Sequence, residues 1–270
     1  MSGLFHNIKS LFSRKTIYPE IIRAGGLANA IDLELKTINS SLRVRGDDSF
    51  DKLPFSFAMV EHGNKFSQIY MAAKEKLYLP DFWRDGVCLA HGKTNSLTEL
   101  AKVLDYWLIQ NVSTKALSEK YNFVCPSAKA SAFDENKEIE FTWELLKNDD
   151  DSLGLKEFIG VASQDNTLNK LFPFTSLYTM CFSRCTGFPY DTNNLPNVTL
   201  LEYAHFILPK NEAEYSKIQH TKATGDSQIY VVTLNMNKYL GKGNASEALQ
   251  LVLENLPNNI QPARKGTAED

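Results

Sequence analysis

The stretch FWRDGVCLAHGKTNSLTELAKVLDYWL, residues 82–108, predicts a strand, a tight turn and a helix. Its first part is a short apolar run of β-prone residues, and Gly92 ends that run where the chain is expected to reverse. Ser96 and Glu99 have the spacing of a capping box, which predicts that a helix begins there. The apolar residues that follow recur at the helical period and share one face: Leu97, Leu100, Ala101, Leu104, Trp107 and Leu108.

The same order recurs near the end of the sequence, in QIYVVTLNMNKYLGKGNASEALQLVLENLP, residues 228–257. A predicted strand is followed by a glycine-rich turn at residues 241–244, and Asn244 then begins a helix with a second capping-box spacing. The two stretches predict two related strand-turn-helix halves, in which each helix covers the sheet formed by its own strands. Trp107 and Leu256 are both expected to be buried.

The remaining patterns extend these two halves into an α+β fold. Four short β-prone runs predict an antiparallel meander, closed by the helix of residues 96–110: residues 55–63, 65–73, 75–79 and 83–91. Apolar residues at helical spacing predict a helical middle segment, and residues 175–183 predict a strand buried on both faces. The sequence therefore predicts a mainly antiparallel sheet with helices packed on it.

The predicted domain organisation has three parts. Residues 1–16 form an N-terminal amphipathic helix, residues 17–257 a single globular α+β domain, and residues 258–270 a flexible tail. The domain contains two halves, at about residues 17–124 and 137–257.

Residues 4–15 carry one apolar face and one basic face, a pattern typical of packing on the protein's own domain, in a partner's groove or on a membrane surface. The sequence shows neither a signal-peptide pattern nor an apolar stretch of about 20 residues that could span a membrane. A cytoplasmic location is therefore expected.

Composition narrows the class of protein. The 270 residues are 43% hydrophobic, which is enough to bury a substantial core. A formal net charge of −3 provides no global field that would attract nucleic acid. The four cysteines include no Cys-x-x-Cys pair and are interpreted as reduced thiols.

Several motifs spread along the chain resemble an uncharacterised bacterial domain family. They are Phe-Trp-Arg-Asp-Gly-Val at residues 82–87, Trp143 in a mid-chain helix, Phe-Pro-Phe-Thr-Ser at residues 172–176, and Phe-Ser-Arg at residues 182–184. The family is a domain of unknown function found in natural-product and toxin-rich gene neighbourhoods. The resemblance implies a bacterial source and an accessory or toxin-antagonist role, and it transfers no catalytic residues.

The residues themselves do not form a complete catalytic or metal-binding signature. Gly92-Lys93-Thr94 resembles the end of a phosphate-binding loop, but the first glycine of that motif is replaced by Val87. The five histidines are interpreted as lacking metal-ligand spacing, although His62 and His91 would meet if their strands paired. We therefore predict no catalytic residues, no metal and no cofactor.

Three charged residues are the candidates for binding a partner or ligand: Arg84, Asp85 and Arg184. Arg184 ends a largely apolar run, so it is expected either to pair with a carboxylate, Asp85 or Asp191, or to contact a partner. The function expected is that of an immunity protein, which neutralises a cognate protein toxin by direct binding. The alternative is an accessory enzyme or ligand-binding protein of a biosynthetic cluster, with a cleft between the two halves.

Overall fold

A computed structural model describes residues 17–44, 56–149, 154–207 and 228–270. The chain divides into two compact units, residues 1–136 and 137–270. Each unit contains a five-stranded antiparallel sheet and several helices, which confirms the predicted α+β class. The predicted helix at residues 4–15 lies outside the described residues.

The N-terminal unit packs most of its helices into one core with its sheet. Its elements are α1 (Pro19–Ala24), α2 (Leu27–Thr37), β1 (Phe57–His62), β2 (Lys65–Met71), β3 (Tyr78–Arg84), β4 (Val87–Gly92), α3 (Leu97–Leu108), α4 (Thr114–Lys120), β5 (Val124–Pro126) and α5 (Ala130–Asp134). The strand order in the sheet is β1-β2-β3-β4-β5.

Side chains along β1, β2 and β3 alternate between buried and partly exposed positions. The buried set packs against α2 and α3, and Trp107 is completely buried there, as predicted. The partly exposed set, which includes Gln68, Asp81 and Trp83, lies on the opposite side, called here the outer face. The Ser96 hydroxyl accepts the Glu99 N–H at 3.2 Å, so the predicted cap of α3 is confirmed.

The turn within the opening stretch lies earlier than predicted. The chain reverses at Asp85 and Gly86, between β3 and β4, and both residues have positive φ angles, 52° and 73°. Gly92 is instead a strand residue paired with Val124. A Cβ at Gly92 would lie 2.9 Å from the Pro80 side chain, so close packing of the two strands requires glycine there.

The C-terminal unit also combines one sheet with packed helices. Its elements are α6 (Glu138–Asn148), α7 (Lys156–Ala162), β6 (Phe172–Ser176), β7 (Thr179–Ser183), β8 (Pro196–Leu200), α8 (Ala204–Ile207), β9 (Tyr230–Leu234), β10 (Lys238–Gly243) and α9 (Ala245–Glu254). The strand order in the sheet is β10-β9-β8-β7-β6.

Several sequence predictions for this unit need correction. Residues 175–183 are not one strand, because β6 and β7 form a hairpin that turns at Leu177, whose φ is 54°. Gly241 and Gly243 do not form a turn but pair with β9 as part of β10. β7 is buried along its whole length, as predicted, and the capping box of Asn244 and Glu247 is present. Leu256 is only half-buried against the core rather than buried.

The last residues make hydrogen bonds that a frayed tail lacks. The Arg264 N–H donates to the Arg184 carbonyl, and the Ala268 N–H donates to the Pro189 carbonyl. The segment was predicted to be flexible because it is polar and terminal, but its backbone pairs with the loop that follows β7.

Among the helices of the described residues, none has the length and apolar character that a membrane span requires.

Candidate functional site

Two of the predicted site residues, Arg84 and Asp85, belong to a charged cluster at the β3–β4 turn. The Arg84 Nη1 atom lies 2.9 Å from Asp134 Oδ1, and Arg84 Nε lies 3.9 Å from Asp85 Oδ2. Asp134 also accepts the backbone N–H and the hydroxyl of Thr114, at the start of α4. Asp85 accepts a hydrogen bond from Asn64. The cluster therefore ties α4 and α5 to the sheet, which is a structural role.

Lys65 is the least expected member of this neighbourhood, since only 1% of its surface is exposed. Its Nζ atom donates to the Val112 carbonyl at 2.6 Å and lies 3.7 Å from the centre of a Trp107 ring. Burial first, and then the charge of Arg84, lower the pKa of Lys65 to about 7, while Asp134 and Asp85 oppose the shift. A lysine of this pKa can be a catalytic base, but its bonded and enclosed position favours a structural role.

The third predicted residue, Arg184, pairs with Asp191, one of its two candidate partners. Its Nη1 atom lies 3.1 Å from Asp191 Oδ1 and 2.8 Å from the Asn193 carbonyl oxygen. The side chains of Arg184 and Asp191 are 27% and 32% exposed, so the pair is partly solvated. It locks the end of β7 to the following segment, residues 184–195, called here the Phe188 loop.

The Phe188 loop is held by the chain on both sides. Within it, the Asp191 N–H donates to Cys185 Sγ at 3.1 Å. Outside it, the N–H groups of Thr186 and Gly187 donate to the Arg264 and Gly266 carbonyls at 3.0 and 2.8 Å. These bonds fix the backbone of the loop before any partner is present.

Phe188 and Tyr190 of this loop form an aromatic cluster with Phe172 and Phe174 of β6. The Tyr190 ring stacks on Phe174 with centroids 4.3 Å apart, and it also contacts Phe172 at 5.7 Å. Phe188 packs edge-on against Tyr190 at 5.9 Å and is 69% exposed. A large apolar ring is thus presented to solvent on a supported base.

A second cluster, which the sequence reading missed, lies on the outer face of the N-terminal sheet. Asp81, Cys88 and His91 each offer a ligand atom, and these atoms lie within 4.8 Å of one another. His91 Nδ1 is 2.7 Å from Asp81 Oδ1, and Cys88 Sγ is 4.0 Å from His91 Nδ1 and 3.9 Å from Nε2. The cluster is called here the Cys88 cluster.

A β-bulge explains how the Cys88 cluster forms. β4 pairs Ala90 with Phe82 and Cys88 with Trp83, which leaves Leu89 as an extra residue in the strand. Residues three apart in a regular strand point to opposite faces, but one extra residue restores the same face. The bulge therefore brings Cys88 and His91 together beside Asp81, which pairs directly with His91.

The Cys88 cluster does not have the features of an activated cysteine nucleophile. Burial first, and then the nearby Asp81 charge, raise the pKa of the Cys88 thiol to about 11, so little thiolate forms at neutral pH. The sulfur is also nearly equidistant from the two nitrogens of His91, whereas a catalytic pair places it against one nitrogen. The chemistry that suits these three side chains is ligation.

The structure has the remaining cysteines as free thiols, as predicted, and it keeps His62 apart from His91. His62 and His91 do not meet, because β2 and β3 separate their strands. Cys181 and Cys185 are buried free thiols. Cys125 is exposed on β5, where it pairs with His91 of β4. The sequence contains no signal for the Cys88 cluster, because residues three apart in a regular strand point to opposite faces.

Family comparison applies to part of the C-terminal unit, which contains β6, β7 and the Phe188 loop. Residues 137–223 match the model of DUF6193, a family of unknown function. No curated protein and no solved structure matches the chain. The DUF6193 segment includes Arg184, Phe188 and Tyr190, whereas the Cys88 cluster and Arg84 lie outside it.

Proposed function

We propose that the protein acts by binding another protein through the Phe188 loop. The observation that carries this proposal is an exposed phenylalanine on a loop whose backbone is already fixed. Aromatic residues and arginine are enriched among the residues that dominate binding energy at protein interfaces. Here Phe188, Tyr190 and Arg184 lie on one short segment of the DUF6193 region.

The support around the loop favours tight binding. Ordering a flexible side chain or loop at an interface costs roughly 0.5–1.5 kcal/mol for each immobilised side chain. The Tyr190 ring is already stacked between neighbours, and the Arg184 guanidinium already holds Asp191 and Asn193. A partner that covers Phe188 would therefore meet a surface that needs little further ordering.

We further propose that the partner is a cognate toxin, neutralised by direct binding in the manner of an immunity protein. Such a role requires a complementary surface and no catalytic group of the protein's own, which suits a fixed aromatic loop. The resemblance to a family from toxin-rich gene neighbourhoods supports this choice of partner. The alternative proposal, an accessory enzyme or ligand-binding protein of a biosynthetic cluster, would bind a small molecule instead.

The test uses the proteins encoded next to this gene. Each toxin-like neighbour is purified, and its binding to the full chain is measured by calorimetry for the parent, Phe188→Ala and Leu177→Ala. Leu177 is the matched control, because it is 79% exposed on a different turn of the same unit. We expect Phe188→Ala to weaken binding by about 2 kcal/mol or more, and Leu177→Ala to have no effect.

The two variants also separate binding from folding. Both residues are exposed, so melting temperatures should match that of the parent, and co-expression with the toxin should restore growth with Leu177→Ala but not with Phe188→Ala. Equal toxin binding by Phe188→Ala and the parent would refute the role of the loop. Binding of a biosynthetic intermediate, with no toxin-like neighbour bound, would favour the alternative proposal.

A further inference from the structure

We propose that the Cys88 cluster is a binding site for one divalent transition-metal ion of the zinc class. The ligands are Cys88 Sγ, His91 Nδ1 and one carboxylate oxygen of Asp81, all on the outer face of the N-terminal sheet. Sulfur, imidazole and carboxylate are the three donor types that proteins use to hold zinc. This site is independent of the Phe188 loop, which belongs to the other unit.

The observed distances are close to those of a tetrahedral site. With ordinary zinc–ligand bonds, a nitrogen and an oxygen ligand lie about 3.4 Å apart, and a nitrogen and a sulfur ligand about 3.6 Å apart. In the structure, Nδ1 and Oδ1 are 2.7 Å apart, and Nδ1 and Sγ are 4.0 Å apart. A tetrahedral site therefore requires Nδ1 and Oδ1 to move apart by about 0.7 Å, and Nδ1 and Sγ to approach by about 0.4 Å.

The way the backbone aims these side chains supports a ligand at the site. Two of the ligands reach the same face only because Leu89 forms a bulge, and bulges often re-aim a side chain next to a functional site. The contact between Asp81 and His91 does not explain that arrangement by its stability, since the His91 side chain is 61% exposed. Ion pairs at such exposure contribute little.

The charges of the donor set also balance. On binding, the Cys88 thiol gives its proton to solvent and a sulfur–metal bond forms. The proton that His91 Nδ1 donates to Asp81 moves through solvent to Nε2, which frees Nδ1 to bind the metal. One thiolate, one carboxylate and a divalent cation together carry no net charge, which suits a partly buried position. Three protein ligands leave the fourth tetrahedral position for water, the arrangement found in open zinc sites.

Cobalt is the probe for the test, because a thiolate bound to Co²⁺ gives a charge-transfer band that free cobalt lacks. The full chain is reduced, freed of metal with a chelator and titrated with Co²⁺ and then with Zn²⁺ as competitor. We expect a band that saturates at one ion per chain and disappears when zinc displaces cobalt. Absence of the band at saturating cobalt would overturn the proposal.

Variants then assign the ligands. Cys88→Ser should abolish the charge-transfer band, and His91→Ala and Asp81→Asn should each weaken binding by roughly a hundredfold, since even partners outside the ligand shell are worth 10- to 100-fold. His91→Ala also keeps the test open should Cys88→Ser fail to fold. Circular dichroism of each metal-free variant confirms that folding is retained.

Two controls lie on the same sheet. His62→Ala removes another exposed histidine, and Cys125→Ser removes the exposed thiol that pairs across the strands with His91. Both variants should bind cobalt as the parent does. If Cys125→Ser loses the band while Cys88→Ser keeps it, or if His62→Ala weakens binding as much as His91→Ala, the assignment is wrong.

Discussion

Replacing Arg184 by alanine tests whether the Phe188 loop is held as the structure indicates. The substitution removes a salt bridge to Asp191 and a hydrogen bond to the Asn193 carbonyl. A fully buried pair would lose about 3–5 kcal/mol when one partner is removed. Arg184 and Asp191 are 27% and 32% exposed, however, so solvent screens the charges and replaces part of the lost bonding.

The expected loss is therefore smaller. A partly exposed ion pair contributes up to about 1 kcal/mol, and a hydrogen bond from a charged donor adds about 1 kcal/mol after the same discount. We expect Arg184→Ala to lower the unfolding free energy of the C-terminal unit by about 1–2 kcal/mol. With a urea dependence of about 2 kcal/mol per M, the unfolding midpoint falls by about 0.5–1 M.

Hydrogen exchange gives the assay that reports this loss locally. The Arg184 N–H donates to the Asp191 carbonyl and the Asp191 N–H to Cys185 Sγ, so both amides should exchange faster in Arg184→Ala. A double-mutant cycle with Asp191→Ala should give a coupling energy of about 0.5–1 kcal/mol. A coupling energy near zero, with unchanged exchange at both amides, would refute the structural role of the pair.

Three further predictions follow from buried or capping groups. Relative to Lys65→Met, the parent should gain up to about 2 kcal/mol of stability between pH 7 and 9. The pKa of Lys65 is about 7 in the folded protein and higher in the unfolded chain, so the unfolded chain binds more protons in this range. Parallel pH profiles of the two proteins in chemical denaturation would contradict this. Iodoacetamide at pH 8 should modify the exposed Cys125 first and Cys88 roughly a hundredfold more slowly, because burial raises the Cys88 pKa to about 11. Equal rates of modification at the two cysteines, measured by mass spectrometry, would contradict this. Asn244→Ala should lower the free energy of unfolding in urea by about 1 kcal/mol, because it removes the side-chain acceptor for two N–H groups of α9. A loss below about 0.3 kcal/mol would show that the cap does not contribute to stability.

Much of the fold could be predicted from local patterns. The helices follow from apolar residues at helical spacing together with capping residues, and Ser96 and Asn244 both accept the expected backbone N–H groups. The first two strands pair as the predicted meander requires, and Gly63 supplies the positive φ of the tight two-residue turn between them. These signals depend on a few neighbouring residues, so a single sequence contains them.

The strand boundaries were less accurate for a physical reason. Asp85-Gly86 is a strong two-residue turn signal, but the apolar residues on both sides of it suggested one continuous strand. Similarly, Leu177 adopts a positive φ that is unusual for leucine, so nothing at that position indicated the β6–β7 turn. In both places two strands pair across a turn between residues only a few positions apart, and the β-prone residues on both sides of the turn concealed the break.

The candidate site shows a different limit of sequence reading. The Arg184–Asp191 pair could be anticipated, because an arginine that ends a buried strand needs a nearby carboxylate. The hydrogen bonds from residues 264–268 to the Phe188 loop could not, since they join segments about 80 residues apart and involve only backbone groups. No side-chain pattern records a contact made by the backbone alone.

The Cys88 cluster could not be predicted either, because it depends on one extra residue in β4. In a regular strand, Cys88 and His91 point to opposite faces, so their spacing predicts that they do not meet. Leu89 changes this result, because Leu89 and Ala90 are consecutive residues that are both buried in the core. The alternation along β4 therefore shifts by one residue, and Cys88 and His91 both lie on the outer face. Deleting Leu89 would restore regular alternation and move either Cys88 or His91 away from Asp81. The proposed metal site therefore requires the bulge as much as it requires its ligands.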